Sequence, residues 1–123
     1  MLELDMLIEE KVYGRKCPED TSETSEALGW EKQSDGTYVL YSYNPDIRGF
    51  FVADIWPRSF SENILIAWNL VIKYIISVLP IVTSEGEIVG WEATSKKLPG
   101  FSVTGDTAAE TICLLVAEIV KNE

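Results

Sequence analysis

The stretch from Ser61 to Leu79 constrains this fold more than any other part of the chain. Apolar residues fill it from Ile64 to Leu79, and only Asn69, Lys73 and Ser77, four apart, draw a thin polar line. The run predicts a helix from about Ser61 to Leu79. Ser61 suits the N-cap, and Phe60 before it with Leu65 at the fourth helical position would form a hydrophobic staple. Ser59 with Glu62 is the alternative cap, a capping box that forgoes the staple. A helix apolar nearly all round is either buried on several sides or spans a membrane. Spanning takes about 20 apolar residues, and Asn69 and Lys73 interrupt this run. The expectation is a buried central helix, with Trp68 as a core anchor beside Trp30 and Trp91.

A chain of 123 residues that is 46% hydrophobic and 24% charged has the profile of one globular domain spanning 1–123. Its charge balance narrows the partners. With 20 acidic residues against 10 basic ones, the net charge is −10. That repels nucleic-acid phosphates and anionic lipid. Basic residues are also dispersed, with Arg15-Lys16 and Lys96-Lys97 the only adjacent pairs. Neither direct nucleic-acid binding nor a membrane role is expected.

Histidine is absent. That removes His-activated nucleophiles, His general bases and His-ligated metal sites together. Cys17 and Cys113 are far apart in sequence, and the segment Met1-Leu2-Glu3-Leu4-Asp5 carries acids where a signal peptide carries positive charge. Both thiols are read as reduced and the compartment as cytosolic. No cofactor and no metal are expected.

Residues 1–13 read as a helix with a stripe of Met1, Leu4, Leu7, Ile8 and Val12, closed by Gly14 as an αL cap. Leu2, Met6 and Tyr13 fall on a second patch. There they either pack under a loop or form a subunit contact. Residues 15–27 form a polar connector with tandem Thr21-Ser22-Glu23 and Thr24-Ser25-Glu26, expected to be a mobile surface loop. Leu28–Lys32 and Thr37–Tyr43 flank Ser34-Asp35-Gly36, a hairpin signal. Asn44-Pro45-Asp46 breaks the second run, and Phe50–Ile55 reads as a further short strand.

After Pro80 come Ile81–Thr83, a Ser84-Glu85-Gly86 turn, Glu87–Thr94 and Phe101–Thr104. A last helix starts near Thr107, which makes a capping box with Glu110. Its broad apolar stripe faces the core, and Leu114 projects from the outer face between Glu110 and Glu118. The order predicts an α+β fold, an α/β/α sandwich. Its sheet would be mostly antiparallel, of about five strands, with helices on both faces and a loop-rich segment at about 15–58.

Three segments carry a family likeness: Glu10-Lys11-Val12-Tyr13-Gly14, Phe60-Ser61-Glu62-Asn63-Ile64 leading to Ala67-Trp68, and Asp106-Thr107-Ala108 leading to Ile112-Cys113. In this order they resemble the phage ABA sandwich domain family, small proteins of Bacillus phages and prophages. The resemblance touches both ends and the middle of the chain. It implies helices on both faces of a sheet and a phage or prophage origin, and it implies no reaction or ligand. Residues 15–58 depart from it, being longer and more irregular.

No catalytic set is complete. Cys17 sits in Arg15-Lys16-Cys17-Pro18, where cations could lower a thiol pKa, but a general base is missing. Cys113 is on an apolar helix face and reads as core. Asp54, Glu87 and Glu92 read as solvated acids, and Glu87 and Glu92 point to opposite faces of one strand. Phosphate loops, dinucleotide fingerprints and nucleophile elbows are absent.

The segment Asp54-Ile55-Trp56-Pro57-Arg58 is the main ligand candidate. Trp56 and Arg58, with Arg48, Tyr43 and Phe50, could line a pocket for a small anionic or aromatic ligand, such as a nucleotide or metabolite. Ordinary packing of Trp56 on the sheet competes with that. The leading expectation is a phage or prophage accessory protein that binds a protein partner or itself, without catalysis, through Met6, Tyr13 and Leu114. Small-ligand binding at Trp56–Arg58 is the alternative.

Overall fold

The computed structural model of the chain describes residues 1–20 and 29–123. The tandem Thr21-Ser22-Glu23 and Thr24-Ser25-Glu26 lies outside the described residues, as does Leu28 at the start of the first β-prone run.

Helix α1 runs over Leu2–Lys11 and buries Leu4 and Ile8, with Asp5 and Glu9 beside them. Gly14, at φ +67, turns the chain out of the helix as its αL signal predicts. Strands β1 (Trp30–Lys32), β2 (Tyr38–Asn44) and β3 (Gly49–Trp56) follow as an antiparallel meander. Asp35 sets the first turn, its Oδ1 accepting from the Thr37 amide at 2.9 Å and the Thr37 hydroxyl at 2.6 Å. These bonds hold its carboxyl below the usual range. Asn44 closes the second turn by accepting from the Asp46 amide. The segment expected to be loop-rich thus contains a three-stranded sheet.

Helix α2 covers Ile64–Tyr74, and β4 begins one residue later at Ile76–Val82. Strands β5 (Ile88–Ser95) and β6 (Ser102–Gly105) complete a second antiparallel meander, and α3 (Ala108–Lys121) ends the fold. The class is α+β. The strands do not form one sheet of about five, however. They form two separate three-stranded sheets, because the helix between β3 and β4 divides two locally paired meanders.

The long central helix is also corrected. Its N-cap is Asn63, whose Oδ1 accepts from the Leu65 amide at 3.0 Å. Ser61 is unavailable because its amide and hydroxyl both donate to Asp5. The staple does not form either, since Phe60 is buried and Leu65 faces solvent. At the other end Ile75 takes the αL conformation at φ 52, and Ile76 starts a strand. Two adjacent β-branched residues, with Val78 and then Pro80 close behind, favour the extended chain over four more helical residues.

Helix α3, not α2, sits at the centre. It touches both other helices and all three strands of the second sheet. Seven of its 14 residues are buried: Ala109, Thr111, Ile112, Cys113, Leu115, Val116 and Ile119. Gly105 permits the close approach of β6, since a Cβ there would lie 2.5 Å from the Thr111 hydroxyl oxygen. Among the described residues, no helix lies on the second face of this sheet. Ala93 and Ser95 of β5 turn inward to α3, while Glu92 and Thr94, with Ser77 and Leu79 beside them on β4, face solvent.

Candidate functional site

The Trp56–Arg58 segment folds into a closed polar junction between α1 and the first sheet. Trp56 is 1% exposed and packs with Cys17 and Tyr38, with Met6 and Trp30 at the edge of the cluster. Its indole Nε1 donates to the Arg15 carbonyl at 2.9 Å, and its bond to Pro57 is cis. Burial, with hydrogen bonding to Glu19 and Cys17, pushes the Tyr38 phenol up.

Arg58 is committed to Glu9, whose side chain is fully buried. The Arg58 amide and Nε donate to Glu9 Oε2 at 3.0 and 3.2 Å, and one terminal nitrogen donates to Oε1 at 2.7 Å. This two-pronged geometry raises the Arg58 pKa further. Arg15 reaches the same carboxylate at 3.4 Å and Asp54 at 2.9 Å. The Arg58 guanidinium also lies over the rings of Tyr13 and Phe60, 4.6 and 5.0 Å from their centroids. Those two rings stack 5.5 Å apart.

The proposed ligand residues are therefore not brought together. Tyr43 and Phe50 pair edge to face at the far end of the β2–β3 hairpin, with Arg48 in its exposed turn at φ 50. Strand β3 separates them from Trp56 by roughly 20 Å at about 3.3 Å per residue. Beside Arg58 is a cleft of about 460 Å³ that is also lined by Asp5, Asp35, Val39 and Ile55. Burial pushes the Asp5 carboxyl up, against the Ser61 amide and hydroxyl that pull it down. Two carboxylates and an already paired arginine give this cleft little attraction for an anion.

Of the interface candidates, Met6 is half-buried against the Trp56 cluster and Tyr13 half-buried against Phe60. Leu114 is half-buried against the main core. Cys113 is fully buried, and burial pushes its thiol up. Cys17 is buried too. Asp54 belongs to the first sheet and pairs with Arg15, while Glu92 lies on β5 of the second sheet. Among the described residues no group of three or more Cys, Asp or Glu is placed to hold a metal, and no helix is long and apolar enough to cross a membrane.

Two uncovered apolar faces are what the structure adds. On the hairpin, Tyr41 and Tyr43 lie opposite Val52 and Phe50, so all four share one face, and Phe50 is 72% exposed. On α2, Ala67, Leu70 and Tyr74 turn to the core. Leu65, Trp68 and Ile72 turn outward, 82%, 51% and 68% exposed, with Ile64 and Ile75 flanking them. Spacings of three and four residues put them on one stripe. Trp68 is thus a surface residue and not a core anchor. Uniform apolarity hid this face, since a helix apolar all round shows no preferred side. The β-branched pair Ile75-Ile76 was the available signal that the helix stops early and reaches the surface. No protein-family model, curated protein or solved structure matches the chain.

Proposed function

We propose that this chain is a phage or prophage accessory protein that works in the bacterial cytoplasm by binding a protein, without catalysis. The observation that carries the reading is the outward stripe of α2. Large apolar side chains that are half or more exposed, contiguous and on a rigid element are the composition of an interface core. Trp68 at its middle is the residue type that most often dominates binding energy. The hairpin face around Tyr43 and Phe50 offers a second contact area. Origin rests on the three-segment resemblance. The α/β/α layering belongs to the same proposal, and the packing of α3 against β4–β6 supports its first helical layer.

Small-ligand binding is the second reading, and the 460 Å³ cleft beside Arg58 is of suitable size for it. The pairing of Arg58 with Glu9 weighs against an anionic ligand there.

The test compares the wild-type chain with a Trp68→Ser, Ile72→Ser variant. Sedimentation and co-purification from the host should find a bound protein, either a second copy or another chain, that the variant loses. A wild type that holds no protein, and whose melting temperature a metabolite raises, would overturn the reading in favour of the cleft.

A further inference from the structure

We infer that the uncovered face of α2 binds the same face of a second copy, helix against antiparallel helix, as a weak two-fold dimer. The inference rests on the protein-binding reading above and names the partner for that site.

Charge is the first reason. The chain carries 20 acidic residues, yet none occurs from Asn63 to Ser84, where Lys73 is the single charge. Two copies, each at −10, repel over most of their surfaces. The outward face of α2, which carries no acid from Ile64 to Tyr74, is where they meet with least repulsion.

The ends of α2 are also self-complementary. Glu62 lies just before its first turn and Lys73 in its last. Glu62 is largely exposed, 3.8 Å from the Met1 amine. A two-fold axis between Trp68 and Asn69 sets Leu65 across from Ile72 of the second copy. At about 1.5 Å per residue, it also brings Lys73 of one copy within side-chain reach of Glu62 of the other. Parallel pairing would set like charges together and align the helix dipoles unfavourably.

Area and strain agree. The stripe exposes on the order of 500–600 Å² of apolar surface, the top of the range for the largest patch on a monomer. Two such faces bury roughly 1,100 Å², the size of a weak, reversible interface. Ile75 strengthens the case: it is exposed at φ 52, where glycine would sit without strain. An apolar β-branched residue held there is better explained by a contact than by folding.

Sedimentation of the full chain from micromolar to near-millimolar concentration tests the inference. A monomer–dimer equilibrium is expected, with a dissociation constant on the order of 10–100 µM. Ile72→Glu should abolish the dimer with an unchanged melting temperature at low concentration. Lys73→Glu should weaken it roughly three- to tenfold, and adding Glu62→Lys should restore it. Cross-linking sets the orientation, because Cys17 and Cys113 are buried. Leu65→Cys should couple to Ile72→Cys in a mixture and not to itself. A monomer throughout the range, or Leu65→Cys coupling only to itself, would overturn the inference. If the monomer still holds another protein through Trp68 and Ile72, protein binding stands and only self-association falls.

Discussion

Helices α2 and α3 are similar in apolar content and opposite in fate. In α3 half of the residues are buried, whereas in α2 only three of 11 are. Cover makes the difference. Helix α3 packs against the second sheet and both other helices, while α2 touches only α3 and β4 appreciably. The two are also held differently. Side-chain packing fixes α3 along its length. The approach to α2 is fixed by polar contacts before it starts, from Glu9 to Arg58 and from Asp5 to Ser61, and by buried Phe60. Hydrophobicity therefore says that a helix wants cover, not that the fold provides it.

Truncation should separate the two helices most sharply. Leu115→Ala in α3 should cost about 2–5 kcal/mol of stability. Ile72→Ser in α2 should stay within about 0.5 kcal/mol when melted as a monomer. Comparable losses from both would mean that α2 is covered in the free chain. Arg58→Ala probes the polar hold on α2, and chemical denaturation should register a loss of about 2–3 kcal/mol. That is less than for a wholly enclosed pair, because Arg58 is one-third exposed and Arg15 stays within reach of Glu9.

The caps should behave alike even though the faces do not. Thr107→Ala and Asn63→Ala each remove one side-chain acceptor from a first-turn amide, and each should cost about 1 kcal/mol. Unequal losses would trace the contrast to local helix signals and not to cover. Ile75→Gly should act in the other direction, raising monomer stability by about 0.5–1 kcal/mol as the αL strain is relieved. If it lowers stability instead, Ile75 supports the fold rather than the surface.

The smallest effect concerns Asp5. Its folded pKa lies above the unfolded value near 3.8, chiefly through burial, so the native state keeps the proton longer. Stability is then lost as the pH rises from about 3.8 through the folded pKa. Asp5→Asn removes that loss. Thermal melts should show the variant gaining on the wild type as the pH climbs from 3 to 7. A constant gap would mean that the Ser61 bonds cancel the burial.

Local signals were legible because they act locally. Asp35-Gly36 made its hairpin, Thr107 capped α3, Asn44-Pro45 ended β2, and Gly14 took its positive φ. The site was less legible. Tyr43 and Phe50 do meet across a hairpin, but Trp56 and Arg58 lie a strand's length away. Arg58 looked free in sequence because its partner, Glu9, is 49 residues distant.

By itself, then, the sequence determined the α+β class, most element positions and the acid-free character of residues 63–84. Periodicity, caps and turn residues act within a few positions, and composition needs no coordinates. Only the tertiary structure decided that the strands split into two sheets, that α3 became the central helix, and that Leu65, Trp68 and Ile72 were left outward. Those outcomes depend on which elements are available to cover one another, and burial is a property of neighbours far apart in the chain.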